Sequence, residues 1–312
     1  MKSNKFSVRR RNVIKGGLCA VTALAAYPHI TNLRAAQNSL ITKAIPSTGE
    51  IIPVIGLGTS RTFDVSQQER QFKLLPVLDA FFSNGGAMID SSPMYGAAEE
   101  TVGRLLDKLK RPKALFSATK VWTDGKQAGI DQMQHSMHLW GVDAFDLMQI
   151  HNLRDWQIHL ETLREWKAQG KVRYIGITTS HNRFHEELAE IMNKESLDFV
   201  QFSYNIENRV SEQSLLPIAL EKGIAVLINR PFMRGDLFSK VKGKELPGWA
   251  TERGIDSWGQ FFLKFVVSHP AVNCVIPATS KASHALDNMQ AGYGELPDAS
   301  TRQRMIDHMN SL

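Results

Sequence analysis

Eight short apolar runs, each followed by a stretch of helical period, constrain this chain more than any other feature. The runs cover residues 53–58, 87–90, 114–120, 146–151, 174–179, 199–204, 225–230 and 274–278. Each is bounded by turn or helix signals, so each reads as a strand buried on both faces, the kind found in parallel sheets. Helices are predicted near 69–84, 97–110, 127–140, 155–169, 183–194, 212–222, 256–268 and 281–291. Eight such βα units predict an α/β fold, a (β/α)8 TIM barrel. Two weaker β-like runs flank Pro46-Ser47-Thr48-Gly49 and predict an N-terminal β-hairpin ahead of it. A doubly wound open sheet is the competing topology. It usually carries a glycine-rich phosphate turn, but Gly56-Leu57-Gly58 runs into Thr59-Ser60-Arg61 without the third glycine. Residues 235–256 are polar and irregular and read as a long loop after the seventh strand, on the side where loops cover sites.

The first 36 residues differ in kind from the rest. A basic segment is followed by a mild apolar stretch over 16–27 and then by small residues, the order of a secretory signal. Arg10-Arg11-Asn12-Val13-Ile14-Lys15 fits the twin-arginine pattern, two arginines before an apolar pair and a lysine. Cleavage is expected after Ala35 or Ala36, leaving residues 37–312 as one barrel domain. The apolar stretch is too short to span a membrane, and Leu18 before Cys19 argues against a lipid attachment site. The expectation is therefore an exported, periplasmic protein that meets the twin-arginine export machinery and has no stable membrane anchor.

Removing the leader changes the charge. It holds seven basic residues and no acid, so the +6 of the whole chain becomes −1 in the remainder. The basic balance belongs to the leader and gives no reason to expect nucleic acid as a partner. Only Cys274 is left of the two cysteines, so no internal disulfide can form. That suits a protein folded in the cytosol before export.

Strand ends carry the chemistry. Asp90, Lys120 and His151 end three successive runs, and Tyr95 follows the first. In a parallel barrel these positions gather on one face. A phenol titrates near pH ~10, and a neighbouring ammonium lowers that value. Tyr95 is thus read as general acid/base, Lys120 as the cation that tunes it, Asp90 as the anchor of Lys120, and His151 as a donor to the substrate oxygen. The group needing such an acid is a carbonyl becoming an alkoxide. No metal site is expected, because a lysine among so few ligands repels a cation.

On these residues the chain resembles the aldo-keto reductases. GAMIDSSPMYG is similar to that family's second-strand motif, SATK to its lysine strand and DLMQIHN to its histidine strand. YIGITTS, VQFSYNIENR and VIPATSKASHALDNM follow in the family's order. The resemblance implies a (β/α)8 barrel passing hydride between NADPH, or NADH, and a small-molecule aldehyde or ketone. It implies nicotinamide contacts from Thr178, Thr179 and Gln201, and a cofactor contact from Arg230 in Asn229-Arg230-Pro231, where many members carry a stacking tyrosine. It places the adenosine phosphate end near Ser280, Lys281 and Asn288. The basic pair of NADPH-specific members stands here as Ala278 and His284, which leaves both cofactors open. Trp122, Met94 and Asn152 take substrate positions. Two rivals are a non-catalytic nicotinamide-binding sensor on the same barrel, and a hydrolase or isomerase using His151 with Asp90.

Overall fold

The computed structural model describes residues 39–312. The leader expected over residues 1–36 lies outside the described residues. An antiparallel hairpin of β1 (Thr42–Ala44) and β2 (Ile51–Pro53) comes first. The barrel strands follow: β3 (Leu57–Gly58), β4 (Met88–Asp90), β5 (Phe116–Val121), β6 (Phe145–His151), β7 (Val172–Thr178), β8 (Phe199–Ser203), β9 (Ala225–Asn229) and β10 (Val272–Val275). They pair in sequence order and all run parallel. The ring closes between β10 and the segment entering β3. There Val275 N–H donates to Val54 O at 2.9 Å and Gly56 N–H to Val275 O at 2.8 Å.

The eight predicted strands are all present with shifted ends. The first run, 53–58, is divided: Pro53 ends β2, Ile55 makes an isolated bridge to Val275, and only Leu57–Gly58 ladders with β4. The helix predicted near 69–84 is broken into Gln68–Gln71, a 3-10 turn Phe72–Leu74 and Leu75–Ser83. Pro76 is the cause, because its ring excludes the preceding turn of helix and suits the start of a new one. The loop read over 235–256 contains two short helices, Asp236–Lys240 and Gly248–Thr251. Their buried residues Leu237 and Ala250 hold the segment down. A further helix, Ala299–Asn310, buries Met305 and Met309 and is capped by Asp298, whose side chain accepts from Thr301 N–H at 2.8 Å.

The barrel interior is layered. Near the strand N-termini, Met88, Phe116, Leu147, Tyr174, Phe199 and Leu227 form an apolar plug with Ile45 and Ile52 of the hairpin region. Phe116, Tyr174 and Phe199 lie 5.5 to 6.2 Å apart between ring centroids. Burying each such side chain stabilises the fold by about 2–3 kcal/mol. Tyr174 turns its hydroxyl to the hairpin, 2.8 Å from Thr48 Oγ1 and 2.5 Å from Glu50 Oε2. Among the described residues the hairpin thus covers the lower mouth, and the barrel's cavity lies at the strand C-termini. No helix among the described residues is long and apolar enough to cross a membrane.

Candidate active site

Side chains alternate along a strand, so two positions beyond each plug residue comes another inward residue. At this second level the interior becomes polar. Met88 is followed by Asp90, Ala118 by Lys120, Leu147 by Gln149, Phe199 by Gln201 and Leu227 by Asn229. Above lies a cavity of about 560 Å³, walled by the loops after the strands. Asp90, Tyr95 and His151 reach it, and Lys120 stands behind them, fully buried.

Lys120 Nζ donates to Asp90 Oδ2 at 2.5 Å and to Ser91 O at 2.7 Å. It also acts on the Tyr95 phenol by charge and hydrogen bonding, and it lies 5.3 Å from the centre of that ring. Burial is the largest single influence and works against the ammonium, but the charge and hydrogen bond of Asp90, with Tyr95 and Glu99, together hold Lys120 above the usual lysine range. For Tyr95 the balance differs from the sequence expectation. Burial raises the phenol more than Lys120 lowers it, and Asp90 adds to the rise. Tyr95 is therefore protonated at neutral pH, which is the state a proton donor needs.

His151 stands edge-on to Tyr95, with ring centroids 5.6 Å apart. Burial, then the charge of Lys120, hold its imidazole well below the usual histidine range, so the ring is neutral. Its Nδ1 lies 2.8 Å from Ser92 Oγ. The Ser92 oxygen accepts Met94 N–H at 3.2 Å, and its hydroxyl proton is free to donate to Nδ1. That arrangement puts the ring proton on Nε2, as a donor.

The remaining predicted residues divide in two groups. Met94, Asn152, Thr178, Gln201 and Arg230 line the cavity. Lys120, Thr179, Trp122, Ser280, Lys281 and Asn288 do not. Trp122 packs near His151 at 6.5 Å between centroids and is covered by Arg154 at 5.0 Å. Ser280 and Lys281 are exposed just before the helix Ala282–Gln290, and Asn288 is buried on it. Gln201 lines the cavity, yet its amide nitrogen is turned to Asp90 Oδ1 and Gln149 Oε1, at 3.1 and 3.0 Å.

Sequence reasoning passed over Ser92, Gln149, Asn229, Arg61 and Arg234. Gln149 and Asn229 were legible in principle, as amides at the inward positions of apolar strands. The arginines sit in loops whose path the sequence does not fix. Arg61, Arg230 and Arg234 all face the cavity, and Arg230 Nη1 is buried without a protein partner. The Thr179 hydroxyl is likewise buried and unpartnered. Among the described residues no group of three His, Cys, Asp or Glu is placed to hold a metal ion.

A barrel with an acid, a phenol, an amine and an imidazole at one strand-end face defines a class. Residues 54–305 match the model of the aldo/keto reductase family, and the chain belongs to that family. It is 27% identical over 216 residues to the aldo-keto reductase YhdN of Bacillus subtilis, covering 64% of each protein. It is 26% identical over 214 residues to the NADH-specific methylglyoxal reductase of Escherichia coli, covering 58% of this chain and 63% of that protein. The chain thus spans less than two thirds of the length of these curated relatives. An aldo/keto reductase from Klebsiella pneumoniae, solved in complex with NADP and acetate, superposes with a TM-score of 0.71 at 23% identity. That match covers 84% of this chain and 93% of the other, and establishes the shared barrel.

Proposed function

We propose that this protein is an oxidoreductase that transfers hydride between NADPH or NADH and the carbonyl of a small aldehyde or ketone. One observation carries the reading. A buried ammonium joins Asp90 to a protonated phenol at the floor of an open cavity.

The cavity fits a nicotinamide cofactor. The cavity-lining Thr178 suits its carboxamide, and the Arg61, Arg230 and Arg234 guanidinium groups, with Arg230 Nη1 buried and unpartnered, suit its phosphates. When bound, the reduced pyridine supplies the hydride. The chain supplies the rest. His151 Nε2–H holds the carbonyl oxygen, Tyr95 gives that oxygen its proton as negative charge develops there, and Lys120 stabilises the phenolate left behind. Asp90 keeps Lys120 charged throughout. Run backwards, the phenolate accepts the alcohol proton. Loss of such an acid costs roughly two to four orders of magnitude in rate.

The test is the consumption of NADPH and of NADH, supplied separately, against a panel of aldehydes. Tyr95→Phe is expected to bind either cofactor normally and to lose about 100-fold or more of turnover. Retention of the wild-type rate in that variant would refute the assignment. Ser280, Lys281 and Asn288 are the residues through which a preference between the two cofactors would act.

Export through the twin-arginine route is part of the same reading, supported by Arg10-Arg11 ahead of Val13-Ile14-Lys15. With both arginines changed to lysine, the protein is expected to stay in the cytoplasmic fraction. An unchanged periplasmic share would sink that part alone.

A further inference from the structure

Gln149 touches neither the cavity nor solvent, yet it is the partner of the carboxylate at the centre of the site. It is fully buried on β6 and donates from Nε2 to Asp90 Oδ1 at 2.8 Å. It is one end of a chain of amides. Gln201 Nε2 donates both to the same Asp90 oxygen and to Gln149 Oε1. Asn229 Nδ2 donates to Gln201 Oε1 at 3.2 Å and to Thr179 O at 2.9 Å. Ser203 Oγ donates to Asn229 Oδ1 at 2.7 Å and accepts His181 N–H at 3.1 Å. The direction is set at one end. A carboxylate only accepts, so Gln149 and Gln201 must both present nitrogen to it. The remaining amide, Asn229, then has one orientation, with its nitrogen toward Gln201 Oε1 and Thr179 O. Gly176 makes the room on β7, where an added Cβ would lie 2.8 Å from Phe199 O and 3.3 Å from Gln149 Cγ.

We propose that Gln149, with Gln201 and Asn229 behind it, is a positioning residue that spreads the charge of Asp90 and fixes its orientation toward Lys120. This rests on the carbonyl-reductase reading. Two amide dipoles aimed at Oδ1 weaken the field that Asp90 exerts on its neighbours. The titratable groups in that field are Lys120 on β5, Tyr95 after β4 and Cys274 on β10, while His151 on β6 and Glu99 behind β5 feel the charge of Lys120 instead. Asp90 makes the Tyr95 phenol harder to ionise. Without the Gln149 amide that effect grows, and Tyr95 becomes a weaker proton donor.

The test compares kcat against pH for the wild type, Gln149→Met and Gln149→Glu. The methionine keeps the volume and removes the donor. It is expected to lower kcat about tenfold, the worth of one hydrogen bond to a charged group, and to move the alkaline limb of the profile to higher pH. KM for the cofactor should hold, since Gln149 does not line the cavity. The glutamate can donate only while protonated, so its kcat should recover toward low pH and fall as pH rises. A purely space-filling role predicts wild-type kcat and profile for the methionine variant, and that result overturns the inference. If the methionine variant does not fold, a glutamate variant with the wild-type profile overturns it equally. A wild-type protein that reduces no aldehyde sinks the carbonyl-reductase reading, and the inference with it. An active wild type with unmoved Gln149 variants sinks the inference alone.

Discussion

The hydroxyl of Ser92 lies 2.8 Å from Nδ1 of His151, and its oxygen is already engaged by Met94 N–H. In the proposed reaction the serine hydroxyl donates to Nδ1, and the ring proton then sits on Nε2, facing the carbonyl. Ser92→Ala removes that donor and lets the wrong tautomer compete. Turnover of aldehydes is expected to fall about tenfold, with Tyr95 and the fold untouched. Ser92→Thr keeps the hydroxyl and should recover most of the loss. Steady-state kinetics of the pair check this, and an alanine variant with full kcat would remove Ser92 from the mechanism.

Lys120 and Asp90 form a buried ion pair, at 0% and 2% side-chain exposure. Such pairs cost heavily when one partner goes, because the other is left charged and unpaired. Lys120→Met is expected to destabilise the protein by about 3–5 kcal/mol and to abolish turnover. Adding Asp90→Asn removes the stranded charge and should return much of the stability while leaving turnover absent. Urea unfolding of the two single variants and the double variant measures the coupling. Strictly additive losses would mean that the two groups do not act as a pair.

Much of this was readable before any coordinates. Buried parallel strands show as continuous apolar runs, so all eight were visible, and the polar residues Asp90, Lys120 and His151 ending three successive runs marked the site. What escaped depended on neighbours far away in sequence. The bond from Gln149 to Asp90 joins residues 59 apart, and nothing local to β6 announces it. The raised phenol of Tyr95 escaped because the sequence shows the cation but not the depth of burial. Breaks within predicted helices were partly legible: Pro76 is a plain signal for the division before Leu75–Ser83. The helices inside 235–256 were not, since their few apolar residues are held by contacts distant in the pattern, Phe238 against Phe232 and Phe262 and Trp249 against Phe261, rather than by period.

His269 makes stability depend on pH. Burial, then the charge of Arg302, lower its imidazole to about 4, and Nδ1 accepts Ala271 N–H at 3.2 Å. A depressed histidine binds its proton in the unfolded chain first. Between the ordinary value of 6.5 and about 4 the unfolded state holds the extra proton, so stability falls as pH falls through that window. The loss is on the order of 1–2 kcal/mol after solvent screening. His269→Gln, which can still accept from the backbone, should flatten the slope of unfolding free energy between pH 6.5 and 4. An identical slope in that variant would assign the acid sensitivity to other groups.

The hairpin below the barrel should be separable from the chemistry above it. Tyr174 Oη bonds Thr48 Oγ1 and Glu50 Oε2, and its ring packs edge-on to Phe199 at 5.5 Å. Tyr174→Phe keeps the ring and the plug while cutting both links to the hairpin. The expected cost is about 1 kcal/mol, or a few degrees in the melting temperature of a domain this size. Gly176, the next inward position on β7, and the polar level around Asp90 stand between this change and the cavity. Turnover at 25 °C should therefore stay within about twofold of the wild type, because the plug that supports that level is unaltered. A melting curve and a rate measured on the same preparation check both halves. A large fall in kcat with unchanged melting would show that the lower mouth of the barrel reaches the active site after all.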